Sequence, residues 1–291
     1  MTKGNILIAT SSFAGEAPEL IESLKKAGYR TLLNPYGRTL GKPELRELLQ
    51  QHRPIGLLAG TEPIDRELLN SSVNFLKVIS RVGVGWDNID REAAAILGIR
   101  VFRTPGVLTQ AVAELTVGLI LSALRKISLH DRLVRDKKWE KHMGALLEGK
   151  TVGLIGFGEI GQRVGKLLLA FGVSILYYDP RQTLTTDDAR PVSMAELLAQ
   201  SDILSLHASG NGVILNSEAL RCCKRGVLLV NTARGGLVDE DALAESLKDG
   251  QVGFACLDVF AREPYVGPLS ASDHVLLTPH IGSYAREARI K

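Results

Sequence analysis

The feature that most constrains this chain is a glycine-spaced turn. Gly156-Phe-Gly158-Glu-Ile-Gly161 follows directly on an apolar run at 151–155 and opens a helical pattern at 162–170. In a strand-turn-helix unit the first glycine makes the tight turn, the second lets backbone approach a pyrophosphate, and the third lets helix and strand pack closely. Glu159 and Ile160 then begin a helix whose first N–H groups face the phosphates. Asp179 ends the next apolar run, at 174–178. A carboxylate there accepts hydrogen bonds from an adenine ribose and repels the extra phosphate of NADP, so the spacing predicts NAD; Arg181, two residues on, is the feature that argues the other way.

The rest of the chain has the same alternation. Runs at 6–10, 55–59, 76–80 and 99–102 read as buried strands, and 17–27, 43–51 and 91–97 as helices. Thr104-Pro105-Gly106 breaks the series, and a long helical pattern follows from 109 to about 137. A second series has strands at 151–155, 174–178, 203–206, 227–231, 254–257 and 275–277, with a helix opened by the capping-box spacing Ser193-Met-Ala-Glu196. Two α/β units with parallel sheets follow, consistent with a length of 291 residues, about twice the ~150 of one domain.

Composition narrows the function. Thirty-five Lys and Arg against 32 Asp and Glu leave a net charge of only +3, and aromatics are 5%, so nucleic-acid and membrane-surface binding are disfavoured. Glu114, Arg125 and Asp202 interrupt every apolar stretch approaching the ~18 residues of a spanning helix. Cys222, Cys223 and Cys256 suggest neither a disulfide framework nor a metal site, and with the short apolar run near the N-terminus they predict a reduced, cytoplasmic protein.

Polar residues end the later strands of the second series, where ligands bind in open α/β sheets. They are His207, then Thr232-Ala233-Arg234, then Asp258 with Glu263, then His280. Imidazole suits proton transfer near neutral pH, and a carboxylate such as Glu263 beside it would fix the tautomer and favour the imidazolium. Arg234 offers a planar fork for a substrate carboxylate. His52, His130, His142 and His274 lie in polar contexts and read as surface residues.

Together these segments resemble the D-isomer-specific 2-hydroxyacid dehydrogenases, and within them the phosphoglycerate dehydrogenase branch. The match is carried by Ser80-Arg-Val-Gly-Val-Gly-Trp-Asp-Asn-Ile-Asp90, Gly156 to Gly161 with Asp179, Val230-Asn-Thr-Ala-Arg-Gly-Gly-Leu-Val-Asp-Glu240, Leu257-Asp-Val-Phe260 with Glu263-Pro264, and Leu277-Thr-Pro-His-Ile-Gly282. The resemblance implies two Rossmann-like or flavodoxin-like doubly wound domains. A cofactor domain, 105–281, is inserted into a substrate domain, 1–104 plus 282–291. It implies His280 as proton donor and acceptor, Glu263 as its partner, and Arg234 on the substrate carboxylate. Arg81, Val82 and Gly83 would bind substrate, within a loop, 81–85, that supplies N–H groups to the same carboxylate, and Val84 would touch the nicotinamide side. Gly156, Gly158, Glu159, Ile160, Gly161, Asp179, His207, Thr232, Ala233, Arg234, Asp258, His280 and Gly282 would line the cofactor. The domains would close over the reactants, and a homodimer would form through the cofactor domain, around the helix after Thr109 and Trp139.

The implied reaction interconverts a D-2-hydroxyacid and its 2-keto acid by hydride transfer, with 3-phosphoglycerate the expected substrate. Glyoxylate or hydroxypyruvate reduction is the alternative, and an NAD-sensing corepressor of the C-terminal-binding-protein type the alternative of another class. Glu263 argues against a formate dehydrogenase, whose branch has glutamine there. Three departures stand out. The loop Ala208-Ser-Gly-Asn-Gly-Val213 is shorter than in the family. Leu58-Ala-Gly-Thr-Glu62 lacks the basic residue of phosphoglycerate enzymes, leaving a phosphate to Arg81, Arg103 or a neighbouring subunit's Arg135 region. Relatives also continue past His280 with a helix returning to the substrate domain, where this sequence has only 283–291.

Overall fold

Two parallel sheets organise the chain in the computed structural model, which describes residues 2–10, 18–181, 188–210 and 212–290. Residue 17, expected to open the first helix, and residue 211 of the short loop lie outside them. The backbone divides into two units, Met1–Leu108 with Ser283–Lys291, and Thr109–Gly282.

In the first unit the strands are β1 (Gly4–Ile8), β2 (Tyr29–Leu33), β3 (Gly56–Ala59), β4 (Val78–Arg81) and β5 (Arg100–Arg103), in the order β2-β1-β3-β4-β5. Helices α1 (Pro18–Lys26), α2 (Lys42–His52), α3 (Arg66–Ser72) and α4 (Arg91–Ile96) connect them. Leu7, Leu57 and Ile79 on the central strands are fully buried with Leu45, Leu49, Leu68 and Leu69 from the helices. Sequence patterning misses β2 and α3. The first is a half-exposed edge strand carrying Arg30 and Thr31, so it lacks the continuous apolar run of a central strand. The second is short and is opened by Asp65, whose carboxylate accepts the Leu68 N–H.

The second unit holds β6 (Thr151–Ile155), β7 (Ser174–Tyr178), β8 (Arg190–Pro191), β9 (Ile203–Leu206), β10 (Val227–Asn231), β11 (Val252–Leu257) and β12 (Val275–Leu277), in the order β12-β11-β10-β9-β6-β7-β8. Its helices are α5 (Thr109–Leu124), α6 (Ile127–Arg135), α7 (Glu159–Leu169), α8 (Met194–Gln200), α9 (Ser217–Arg221) and α10 (Glu240–Lys248); α11 (Arg286–Ile290) belongs to the first unit. The Ser193 hydroxyl caps α8 at the Glu196 N–H, as its spacing predicts. The order reverses at β6, with β9 on one side and β7 on the other, and such a switch point is where open α/β sheets bind ligands.

One expectation fails. The single helix predicted over 109–137 is two helices, broken at Lys126, which takes φ 53°. The two pieces have different surroundings: α5 buries Ala113, Thr116, Leu119 and Ile120, whereas α6 buries nothing. The chain then returns at 144–145, where the Ala145 N–H donates to the Leu124 carbonyl (2.9 Å) and satisfies an acceptor freed by the break.

Candidate active site

The turn after β6 is built from what its glycines lack. Gly156 has φ +92°, and a Cβ there would lie 2.6 Å from the Ala208 nitrogen, so the turn is pressed against the end of β9. A Cβ on Gly161 would lie 2.3 Å from the Gly156 carbonyl oxygen. Gly158 differs: nothing lies within 4 Å of its missing side chain, and as N-cap of α7 it supplies no side-chain acceptor. The open face beside uncapped N–H groups fits a pyrophosphate, with the helix dipole favouring its charge. Asp179 braces this turn, its Oδ2 accepting the Phe157 N–H and its Oδ1 the Arg181 N–H (2.8 and 2.9 Å). An ionised carboxylate has about four acceptor positions, so both oxygens retain capacity for ribose hydroxyls.

Strand register brings the other polar residues to one edge. Asn231 pairs with Leu257 and Leu257 with Leu277, so the segments following β10, β11 and β12 emerge side by side. After β10, Asn231 accepts the Ala233 N–H (3.0 Å) and donates to the Arg234 carbonyl (2.8 Å). This clamp sets the backbone that carries Arg234, whose Nη1 donates to the Ala233 carbonyl (2.7 Å). Gly235 then packs directly on Phe260: a Cβ would fall 1.8 Å from its carbonyl carbon. Ala261 donates its N–H to Glu240 (2.7 Å), which fixes the same loop from α10. Asn231 and Glu240 fall within the segment 230–240 that carries the resemblance, but the sequence attaches no role to them, because each acts on main chain.

Asp258 organises the loop after β12. Its carboxylate is 1% exposed and accepts from the Thr278 hydroxyl (2.6 Å) and the Ile281 and Gly282 N–H groups (2.8 Å each). Burial pushes its pKa up, and these donors pull it back. Asp258 and Gly282, expected to line the cofactor, thus hold each other and fix the loop that presents His280. That residue has φ 56°, and its Nδ1 lies 2.8 Å from Glu263 Oε2, while Glu263 Oε1 accepts the Phe260 N–H (3.1 Å). A carboxylate at Nδ1 places the proton there and leaves Nε2 as the nitrogen that exchanges a proton with a substrate.

Other expected contact residues have partners within the protein. For His207, Ser205 Oγ engages Nε2 (2.9 Å), and Nδ1 is buried without a partner among the described residues. Burial lowers its pKa to about 3, so the ring stays neutral and supports the glycine turn. The Thr232 hydroxyl turns to Thr116 Oγ1 (2.9 Å) on α5. In the first unit, the Val82 N–H donates to the Ala59 carbonyl (2.9 Å) and the Gly83 N–H to the Arg81 carbonyl (2.9 Å) and Thr104 Oγ1 (3.0 Å). The Arg81 guanidinium turns back to the Val82 carbonyl. The N–H groups of Val84 and Gly85 have no acceptor among the described residues; Val84 is held through its carbonyl by Arg103 (3.1 Å).

Residues 117–282, spanning the glycine turn through Gly282, match the family described as "D-isomer specific 2-hydroxyacid dehydrogenase, NAD binding domain". The chain belongs to the D-isomer specific 2-hydroxyacid dehydrogenase family. It is 42% identical to a glyoxylate reductase from Thermofilum pendens over 85% of this chain and 78% of that protein. It is 37% identical to a D-3-phosphoglycerate dehydrogenase from Archaeoglobus fulgidus over 94% of this chain and 53% of that longer protein. The TT0316 protein from Thermus thermophilus shares the fold with a TM-score of 0.88 and 37% identity, covering 98% of this chain and 92% of its own. An NAD-dependent formate dehydrogenase from Staphylococcus aureus in complex with NAD matches with a TM-score of 0.85 and 26% identity, covering 98% and 90%. As a member of this dehydrogenase family the protein is an NAD-dependent oxidoreductase acting on a small hydroxyacid and keto acid pair. No helix among the described residues is long and apolar enough to cross a membrane.

Proposed function

We propose that the protein interconverts a short, unphosphorylated 2-keto acid and its D-2-hydroxyacid, with glyoxylate or hydroxypyruvate as the keto acid. The observation that carries this reading is the Glu263–His280 pair, standing beside Arg234 on the sheet that bears the glycine turn. Arg234 receives the substrate carboxylate as a planar fork. His280 Nε2 donates a proton to the carbonyl oxygen as it becomes a hydroxyl, and withdraws it in the reverse direction. Glu263 holds Nδ1–H and stabilises the charged ring. When bound, the dihydronicotinamide supplies the hydride. Two similar proteins support the substrate class: the glyoxylate reductase above and a hydroxypyruvate reductase from Thermotoga maritima, 40% identical over 86% of this chain and 84% of that protein.

A second reading, oxidation of 3-phosphoglycerate, is favoured by the phosphoglycerate dehydrogenase from Archaeoglobus fulgidus, which matches 94% of this chain. Initial rates with NADH on glyoxylate, hydroxypyruvate and phosphohydroxypyruvate, and with NAD on 3-phosphoglycerate, glycerate and lactate, separate the two. The first reading expects glyoxylate or hydroxypyruvate to give the highest kcat/KM; a preference for the phosphorylated pair rejects it. The brace at Asp179 supports a preference for NAD over NADP. Asp179→Ser is expected to raise the ratio of NADP to NAD turnover by about tenfold, as a like-charge repulsion is removed; an unchanged ratio places selectivity elsewhere. We also propose that two copies pair through the second unit, where Trp139 and Met143 are 85% and 91% exposed, a state that sedimentation at micromolar concentration reads directly.

A further inference from the structure

We infer, on the reading that Glu263 and His280 transfer the proton, that Tyr265 is a positioning residue for the reaction: stacked on Phe260, its ring closes the loop that carries Glu263 and so keeps that carboxylate at His280 Nδ1. Residues 261–264 are exposed, so the core does not hold Glu263 in place. Its carboxylate is set by two hydrogen bonds, Oε1 accepting the Phe260 N–H (3.1 Å) and Oε2 lying at His280 Nδ1 (2.8 Å). Exposed loops are ordinarily mobile, and a carboxylate about 1 Å adrift no longer braces the imidazole. What fixes Phe260 therefore fixes Glu263.

Phe260 is held on two sides. Gly235 packs on its main chain, and the Tyr265 ring stacks on its side chain with centroids 4.4 Å apart and planes inclined by 23°. Two aromatic rings in such a stack gain more than their buried area alone, and here the stack draws together the two ends of 260–265. Both rings also pack against the core of the second unit. The far end of Tyr265 is anchored as well. Its Oη accepts the Leu269 N–H (3.2 Å), and Leu269 is fully buried in a 3-10 turn, Pro268–Ala271, that packs on α10. A Cβ on Gly267 would lie 2.5 Å from Tyr265 Cζ, so glycine is what admits the phenol beside this turn. Burial raises the phenol pKa, and the charges of Glu240 and Asp241 on α10 add to it against the Leu269 N–H, so the hydroxyl stays neutral. Glu240 also accepts the Ala261 N–H, so α10 supports the loop at Ala261 and, through the 3-10 turn, at Tyr265.

Tyr265→Leu keeps apolar cover over the loop and removes the stack. It is expected to lower kcat for keto-acid reduction about tenfold, because only the placement of the proton-transferring pair is disturbed. The keto-acid KM, and the NADH affinity read by fluorescence titration, stay within a few-fold. Tyr265→Phe restores the ring and is expected to recover most of the loss. A double-mutant cycle tests the route through Glu263: in a Glu263→Gln background, where the carboxylate is already gone, Tyr265→Leu is expected to cost almost nothing further. Phe260→Leu breaks the same stack from its other ring and is expected to match Tyr265→Leu, which supplies the measurement where the latter does not fold. Full turnover in whichever of the two folds, or the same fold-loss with and without the Glu263 carboxylate, overturns the role of Tyr265 while leaving the dehydrogenase reading intact. Failure of both to fold assigns the stack to stability and overturns it too. Wild-type turnover in Glu263→Gln overturns the reading of the pair, and the role of Tyr265 with it.

Discussion

His280→Ala lowers the turnover of 2-keto acid about 10²- to 10⁴-fold, the usual value of a positioned acid or base. The effect falls on kcat, because the lost group acts on the proton that moves, and NADH affinity stays within a few-fold. The geometry makes the prediction specific to one nitrogen. Nδ1 is held by Glu263 at 2.8 Å, and Glu263 is itself fixed through the Phe260 N–H. The loss applies to keto-acid reduction and hydroxyacid oxidation alike, because the same nitrogen gives the proton in one direction and takes it in the other. Stopped-flow rates in both directions test this, and near wild-type turnover in the variant removes His280 from the chemistry.

Gly235→Ala, in which no reacting group changes, is expected to be nearly as damaging. The added methyl would sit 1.8 Å from the Phe260 carbonyl carbon, 2.1 Å from its oxygen and 2.3 Å from the Ala261 nitrogen. All three are main-chain atoms, so no side chain can rotate away, and the segments bearing Arg234 and Glu263 must separate. A displacement near 1 Å between substrate-orienting and proton-transferring groups costs about 10²-fold in kcat/KM. Overpacking of this kind also lowers stability by about 1–3 kcal/mol. Steady-state kinetics with thermal unfolding should show both losses, whereas NAD binding should change less, because its phosphate turn, Gly156–Gly161, follows β6, two strands along from β10. A variant with wild-type kinetics would mean that the two segments act independently.

How much was legible in the sequence follows from what makes a residue visible there. Strands β6, β7, β9 and β10 sit where their apolar runs predict, because a parallel strand covered on both faces reads as an unbroken hydrophobic segment. Among edge strands β12 is legible because Val275–Leu277 is wholly apolar, but β2 mixes polar and apolar residues, and β8 is only Arg190–Pro191. In the site, groups that meet ligands were visible through residue type and motif, as with Arg234, Glu263 and His280. Groups that hold backbone fell inside the same motifs, but with no role attached to them. Asn231 and Glu240 form the clamps, yet an asparagine in a strand end or a glutamate opening a helix carries no signal of its own. The same blindness explains Val82 and Gly83, whose side chains and spacing say nothing about where their N–H groups are directed.

The return of the chain to Leu124 has a consequence for how this protein can change. The Ala145 N–H meets the carbonyl at the end of α5, so residues 125–144 begin and end at one point, with the Arg132–Asp273 ion pair (3.1 Å) a further tie to the unit. Whatever is written between those anchors, including Trp139 and Met143, can be lengthened, shortened or recoloured without shifting the strand that begins at Thr151. The surface of this segment and the chemistry of the site are thereby inherited as separate traits of one domain.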